Sequence, residues 1–305
     1  MNIRAQTNPA KGTSDIRLTP DQLLEIIDLL KGSNSVELKL MVTGTQRSAI
    51  RRLGFDPVEA EPRQVYFFDT PDLALNKSGL IVRVRRSSGG RGDTVVKLRP
   101  VDPDDISADL RRNESFKIEV DAMPGGYVCS ASAKGRCSSQ EILDVCDGKI
   151  PLASIFSTQQ REFFAAHAPA GFTVDQLVPL GPTFTLRVKH QPKKFDRPVV
   201  VELWLYPDGS QILEISTKGV PQEAFQLAIQ FRAFLAKGGI EAGNEAATKT
   251  NSALKYFSKQ AKIDARRNLP LTSQIKGQAS GNSPEDAAKA AHRAKPARVK
   301  GQART

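Results

Sequence analysis

Apolar and polar residues alternate along several short segments of the chain, which is the pattern of β-strands that present two different faces. The clearest segment is residues 80–85, in which apolar residues alternate with Arg83 and Arg85. A turn sequence, Pro207-Asp208-Gly209, joins the last two segments into a hairpin. The pattern predicts strands over residues 36–42, 64–68, 80–85, 94–99, 116–121, 184–190, 199–206 and 211–218.

Capping signals and helical spacing of apolar residues predict helices around these strands. Thr19 and Gln22 can form a capping box, so a helix is expected to begin there and to end at Gly32. Residues 124–180 lose most of the alternation and are interpreted as a helical insert. Further helices are predicted over residues 45–53, 221–238 and 245–262.

The polar faces of the predicted strands are charged to an unusual degree. The polar face of an open sheet ordinarily mixes Ser, Thr, Lys and Glu, whereas three of these strands carry paired cations. Acidic residues accompany them on other strands. The charged positions are Glu37, Lys39, Arg83, Arg85, Lys97, Arg99, Lys117, Glu119, Asp121, Arg187, Lys189 and Glu214.

Two interpretations of the charged faces are open from the residues alone. The commoner one is a solvated face of an open sheet. The other is a closed barrel, because cations that converge in a lumen repel one another unless the lumen binds a polyanion. Acidic residues in such a lumen could hold a divalent cation that bridges to the anion.

The composition is informative about function only when the net charge is counted separately for each region of the chain. The chain has 305 residues, 39% hydrophobic and 25% charged, which is enough for a core of one large or two ordinary domains. Residues 259–305 hold 11 basic and 3 acidic residues, so they carry most of the net charge of +11. This segment has almost no large apolar residue and is predicted to be a disordered basic tail. Residues 1–18 are predicted to be flexible.

Several classes of protein are not expected from this sequence. It has no apolar run of 18 residues, so no membrane span is expected, and its first residues lack the apolar core of an export signal. Its three cysteines contain no C-x-x-C pair, which argues against a disulfide framework or a structural zinc site. A cytoplasmic location is the expectation. Weak nucleic-acid binding would be carried by the tail.

One stretch resembles a known family. The sequence QVYFFDTPDLAL at residues 64–75, followed by GLIVRVR at residues 79–85, is similar to the signature of CYTH-domain proteins, the triphosphate tunnel metalloenzymes. Lys97-Leu98-Arg99 matches the K-L-R strand that follows in that family. The resemblance covers about residues 35–257. It implies an α+β fold, a closed antiparallel eight-stranded β tunnel with flanking helices, in a domain over residues 19–258.

The resemblance also implies a function and a site. Members of the family bind a triphosphate in the tunnel, and Mg²⁺ or Mn²⁺ activates water for attack on the terminal phosphorus. The implied phosphate-binding residues are Arg83, Arg85, Lys97, Arg99, Lys117, Arg187 and Lys189. The implied metal ligands are Glu37, Glu119, Asp121 and Glu214, and the implied catalytic residues are Glu37, Glu119 and Lys39.

The sequence departs from the family pattern at the expected metal ligands. The opening strand, E-x-E-x-K in the family, has Ser35 in place of its first glutamate. The closing strand, roughly E-x-E-x-E, has Ser216 and Lys218 in place of two carboxylates. A divalent cation needs several hard oxygen ligands. The departures therefore put catalysis in doubt more than phosphate binding.

Four functions follow from these observations. The first is metal-dependent hydrolysis of a small-molecule triphosphate or polyphosphate. The second is a binding module that holds polyphosphate or a nucleotide without turnover. The third is a class IV-type adenylate cyclase, and the fourth is nucleic-acid binding by the tail. A VTC-type tunnel domain that polymerises polyphosphate ranks below the CYTH resemblance. A homodimer is compatible with the sequence, but no residue requires one.

Overall fold

The computed structural model describes residues 19–42, 46–124, 126–193, 195–240 and 249–267. The predicted flexible residues 1–18, and the predicted tail beyond residue 267, lie outside the described residues. Internal contacts divide the chain into two units, Met1–Ser258 and Lys259–Thr305. The first unit contains every strand of the described chain.

Nine strands form a closed barrel in the described part of the chain. Around the barrel the strands follow one another in the order β1-β5-β6-β4-β3-β2-β7-β8-β9, and β9 pairs with β1. The strands are β1 (Ser35–Met41), β2 (Glu61–Asp69), β3 (Leu80–Ser87), β4 (Arg91–Leu98), β5 (Phe116–Met123), β6 (Gly126–Ser138), β7 (Val178–His190), β8 (Val199–Leu205) and β9 (Gln211–Gly219).

The barrel corrects two expectations, the number of strands and their all-antiparallel pairing. A ring of alternating strand directions closes only with an even number of strands, so nine strands require a parallel pair. That pair is β1 and β5, in which Glu37 lies beside Asp121. The other neighbouring pairs in the described barrel are antiparallel. The α+β barrel itself is confirmed, and the eight-stranded antiparallel version is wrong.

The strand that was not predicted is β6, which lies within residues 124–180, the segment predicted to be a helical insert. Residues 124–180 therefore contain helices only between Ser138 and β7. The alternation in β6 is weak because most of its residues are small, and Gly and Ala are weak strand formers. Their size has a structural reason. A Cβ atom on Gly135 would lie 2.4 Å from Oε1 of Gln160, so only glycine allows the helix that carries Gln160 to pack this closely.

Helices cover the outside of the barrel. Thr19 forms the predicted capping box with Gln22 at the first of them. The last helix continues to Arg267, so residues 259–267, predicted to be disordered, are helical. No helix of the described chain is long and apolar enough to cross a membrane. The helices are α1 (Pro20–Lys31), α2 (Gln46–Leu53), α3 (Ala74–Lys77), α4 (Ala108–Arg111), α5 (Ser139–Cys146), α6 (Thr158–His167), α7 (Ala224–Lys237) and α8 (Lys249–Arg267).

The two faces of each strand have opposite environments. In β1 the apolar residues Val36, Leu38 and Leu40 are buried on the outside of the barrel, within the core formed with the helices. The alternate residues Glu37 and Lys39 point inward and line a cavity. A charged face that lines an enclosed cavity is not a solvated sheet face. Of the two interpretations of the charged strands, the closed lumen is therefore the one that the structure supports.

Asp69 of the QVYFFDTPDLAL segment stabilises the turn after β2. Its buried carboxylate accepts hydrogen bonds from the backbone N–H groups of Thr70 (2.7 Å), Leu75 (2.9 Å) and Asn76 (3.0 Å). Asp69→Ala removes both acceptor oxygens and with them all three hydrogen bonds, so we expect it to lower the free energy of unfolding by about 1–3 kcal/mol. Urea unfolding measures this change. Asp72→Ala, in the same turn but exposed, is the control and should have little effect; equal unfolding curves for the two variants would contradict this role for Asp69.

Candidate functional site

The barrel encloses a cavity of about 1030 Å³. Inward-facing side chains from all nine strands line it, together with Lys249 and Thr250 from the first turn of α8. Among the described lining residues, twelve are lysines or arginines and six are aspartates or glutamates. The lumen therefore has a large excess of positive charge, although most of the net charge of the chain lies in residues 259–305.

Most of the residues predicted for the site are brought together in this cavity. Two are not among the residues that line it. Asp121 is completely buried beneath the lining lysines, and Lys117 is only partly buried on β5 without lining the cavity. The predicted residues that line the cavity are Glu37, Lys39, Arg83, Arg85, Lys97, Arg99, Glu119, Arg187, Lys189 and Glu214.

Arg83 on β3 is less well compensated than Arg63 and Arg85, which both have a close carboxylate partner. Arg85 Nε donates to Asp93 Oδ2 at 2.8 Å, whereas the guanidinium of Arg83 comes no closer than 4.0 Å to the same carboxylate. Arg83 Nε is buried and has no hydrogen-bond partner. Burial and repulsion from Arg85 lower the pKa of Arg83 to about 10. A buried, unpartnered N–H on a cation is costly, and an acceptor that entered the lumen would relieve this cost.

Further cations surround this region. Within the described chain, Lys134 and Arg136 of β6 and Lys189 of β7 form no ion pair. Burial is the main cause that lowers the pKa of Lys134, and the cations Lys218 and Arg83 contribute to the same shift. Mutual repulsion of this kind means that positive potential is concentrated in this part of the lumen.

The opposite side of the lumen, formed by β8, β9, β1 and β5, contains charges that neutralise each other. Asp121 is the centre of one cluster: its carboxylate lies 3.0 Å from Lys39 Nζ, 3.2 Å from Lys97 Nζ and 4.0 Å from an Arg99 guanidinium nitrogen. Burial opposes ionisation, but these cations outweigh it and hold the pKa of Asp121 well below its usual range. Asp121 therefore fixes the lysines that project into the cavity.

Lys218 bridges two of the predicted metal ligands. Its Nζ lies 2.6 Å from Glu119 Oε1 and 3.5 Å from Glu37 Oε2. Burial alone would raise the pKa of Glu119, but the attraction of Lys218 and Lys134 outweighs it and lowers that pKa to about 2. Glu119 is therefore ionised at neutral pH.

Lys249 bridges a second pair of carboxylates at the other end of β9. Its Nζ donates to Glu214 Oε1 at 2.7 Å and to Glu202 Oε2, which also accepts from Trp204 Nε1 at 3.2 Å. The ammonium lies 5.0 Å from the centre of the Trp204 ring. Tyr206 holds the start of α8 in place, since its hydroxyl donates to the carbonyl oxygen of Lys249 at 2.9 Å.

The carboxylates do not form the metal-binding group that was expected of Glu37, Glu119, Asp121 and Glu214. Each of them is in an ion pair with a lysine, and no three Asp, Glu, His or Cys side chains come together as a metal site among the described residues. A divalent cation requires several free hard oxygen ligands at once. In this arrangement the residues do not fit Mg²⁺ or Mn²⁺.

Several lining residues are not among those predicted for the site. Lys134 and Arg136 were missed with strand β6, although the alternation Ser130, Ser132, Lys134, Arg136 was a signal. The predicted strand over residues 64–68 stops short of Arg63, which lies on β2. Three more lining residues had no predicted role in the site: Glu202, Lys218 and Lys249. Asp93 was missed because β4 begins earlier than predicted.

Comparisons with known proteins bear on the fold. No protein-family model matches this sequence, and no curated protein matches it either. Among solved structures, a proposed adenylate cyclase from Bacillus halodurans has 16% sequence identity and a TM-score of 0.51, and the match covers 72% of this chain and 97% of that one. A proposed adenylyl cyclase from Hippeastrum, described as having a dominant triphosphatase activity, has 16% identity and a TM-score of 0.54, over 73% of this chain and 95% of that one.

At this level of identity the matches establish the fold and leave the activity to be argued from the site. They extend over nearly the whole length of both solved structures and over about three quarters of this chain. The chain therefore has the barrel fold of these adenylate cyclase-like and triphosphatase proteins, which confirms at the level of the fold the resemblance that residues 64–99 predicted.

Proposed function

We propose that the tunnel binds the triphosphate group of a small molecule. The observation that carries this proposal is the uncompensated positive charge of an enclosed lumen, above all the buried and unpartnered Nε of Arg83. A triphosphate supplies several negative oxygens along a narrow, flexible chain. Arginine can meet each phosphate group with two parallel hydrogen bonds, and the lysines around it add point charges.

The described residues divide the work of binding. Arg63, Arg83 and Arg85 line one wall of the cavity, on which Arg83 has no close counter-ion, and Lys134 and Arg136 of β6 line it without an ion pair in the described chain. We propose that these residues contact the phosphate oxygens directly. Because the ligand would lie within the barrel, electrostatic attraction is screened less than at an open surface.

Hydrolysis of the bound triphosphate is the second candidate function. It is supported by the dominant triphosphatase activity of the Hippeastrum protein, whose fold this chain shares. Cyclisation of a nucleoside triphosphate is favoured in the same way by the proposed adenylate cyclase from Bacillus halodurans. Both reactions require that the tunnel first bind the triphosphate, so binding is the part of the proposal that the geometry supports most directly.

Calorimetric titration of the full chain tests the proposal. We expect tripolyphosphate to bind more tightly than pyrophosphate, and pyrophosphate more tightly than phosphate, because each added phosphate group meets further cations of the lumen. Raised salt should weaken binding. Release of phosphate from tripolyphosphate or ATP would identify hydrolysis. Formation of a cyclic nucleotide and pyrophosphate from ATP would identify cyclisation. Equal affinity for the three anions, or no binding, would contradict a tunnel built for triphosphate.

A further inference from the structure

Lys218 occupies a place in the tunnel where the family pattern has a carboxylate. It lies on β9 directly opposite Glu37 of β1, and β1 pairs in turn with β5, which carries Glu119. The Lys218 ammonium lies 2.6 Å from Glu119 Oε1 and 3.5 Å from Glu37 Oε2. One cation that belongs to the chain therefore joins carboxylates from two neighbouring strands.

The oxygens that Lys218 joins have further partners. Ser35 Oγ donates to Glu119 Oε1 at 3.1 Å, and Lys39 Nζ lies 3.1 Å from Glu37 Oε2. Each oxygen therefore already has two positively polarised partners. A divalent cation that bound these two oxygens would have to displace Lys218 and to compete with Lys39 and Ser35, which is unfavourable for an ion that also has to lose part of its hydration.

The ammonium is held at this position by covalent attachment and by attraction. Burial by itself would lower the pKa of Lys218, but Glu37 and Glu119 outweigh that effect and raise it. Lys218 is therefore charged throughout the neutral range. Unlike a bound ion, it does not dissociate, so its positive charge is present before any ligand enters.

We infer that Lys218 supplies, as a permanent part of the chain, the positive charge that a divalent metal ion would supply at Glu37 and Glu119. The tunnel then binds a triphosphate without Mg²⁺ or Mn²⁺. This inference rests on the proposed function, which it deepens by stating in which form the ligand enters. The ligand is the free triphosphate and not its complex with a divalent metal.

The first experiment measures Mn²⁺ binding to the full chain with no phosphate present, by electron paramagnetic resonance. Lys218→Glu places a third carboxylate beside Glu37 and Glu119, and we expect it to bind Mn²⁺ at least about tenfold more tightly than the wild type. Lys218→Gln removes the bridging charge without adding an acid, so a smaller gain is expected. Lys31→Glu makes the same charge change on exposed α1 and should match the wild type.

The second experiment measures tripolyphosphate binding to the wild type by calorimetry, once in EDTA and once with Mg²⁺, at matched concentrations of free tripolyphosphate. We expect the affinity in EDTA to equal or exceed that with Mg²⁺. Binding that requires Mg²⁺ would overturn the inference and leave the proposed function intact. Absence of binding in both conditions would overturn the proposed function.

The Mn²⁺ titration decides the role of Lys218 independently of any phosphate. Wild-type protein that binds Mn²⁺ as tightly as Lys218→Glu would overturn the inference, because Lys218 would then not exclude the ion. Circular dichroism checks that both variants fold. If Lys218→Glu does not fold, a tighter Mn²⁺ affinity for Lys218→Gln than for the wild type supports the inference, and an equal affinity overturns it.

Discussion

Asp121→Asn is expected to destabilise the barrel by about 3–5 kcal/mol, because it leaves buried cations without their counter-ion. Asp121 has no exposed surface, and Lys39 and Lys97 lie within 3.0 and 3.2 Å of its two oxygens. Asparagine keeps the shape of the side chain, so the loss is electrostatic and does not come from a cavity. Unfolding by guanidinium chloride measures the change. Unfolding by urea, which is uncharged, shows whether screening by the guanidinium salt has reduced it.

The pH dependence of this effect follows from the sign of the pKa shift. The cations lower the pKa of Asp121, so its stabilising contribution is complete above the ordinary carboxyl pKa and is lost only as the pH falls through the lowered value. The difference between the wild type and Asp121→Asn should therefore be constant from about pH 7 to about pH 5. It should shrink only in strong acid.

Tripolyphosphate should stabilise the Asp121→Asn variant more than the wild type. The unpaired lysines of the variant have lost an anion, and a polyanion in the lumen can replace it. The control is Asp109→Asn, which breaks the exposed ion pair between Asp109 of α4 and Arg112 directly after the helix, and it should change little in either condition. A small effect of Asp121→Asn, or equal stabilisation of both proteins by tripolyphosphate, would contradict the role assigned to Asp121.

The fold could be predicted to the extent that local alternation specified it. Strands with large apolar residues on one face and charges on the other, such as β1 and β3, were predicted within a few residues. Strand β6 was missed because contact with α6 restricts its outer face to small residues, and this restriction depends on tertiary packing. Without β6 the strand count was even, and the parallel pair that nine strands require could not be foreseen.

The candidate site shows the same division between local pattern and tertiary placement. The sequence showed that Arg83 and Arg85 share a face, and the barrel places that face inward. Which lysine pairs with which carboxylate could not be predicted, since Glu119 pairs with Lys218, which lies on a strand 99 residues away along the chain. In the sequence the carboxylates therefore resembled a metal site. Their pairing with lysines is seen only in the folded barrel.

Arg83→Gln is expected to weaken tripolyphosphate binding about 10–100-fold without loss of stability. A hydrogen bond to a charged group contributes about 1.5–3 kcal/mol, and about 1.4 kcal/mol corresponds to a factor of ten in affinity. In the free protein the guanidinium of Arg83 is partly buried, repelled by Arg85 and 4.0 Å from Asp93, so it costs more than it contributes. Its removal should leave the unfolding midpoint unchanged or higher.

This combination of opposite effects distinguishes a binding residue from a structural one. A residue that holds the barrel together loses stability and affinity in parallel when it is replaced, whereas a residue held in an unfavourable state for its ligand loses affinity alone. Arg112→Gln, which removes the same charge from an exposed position directly after α4, is the control and should alter neither quantity. If Arg83→Gln lowers the unfolding midpoint and leaves the affinity for tripolyphosphate intact, Arg83 stabilises the barrel and the triphosphate must bind elsewhere.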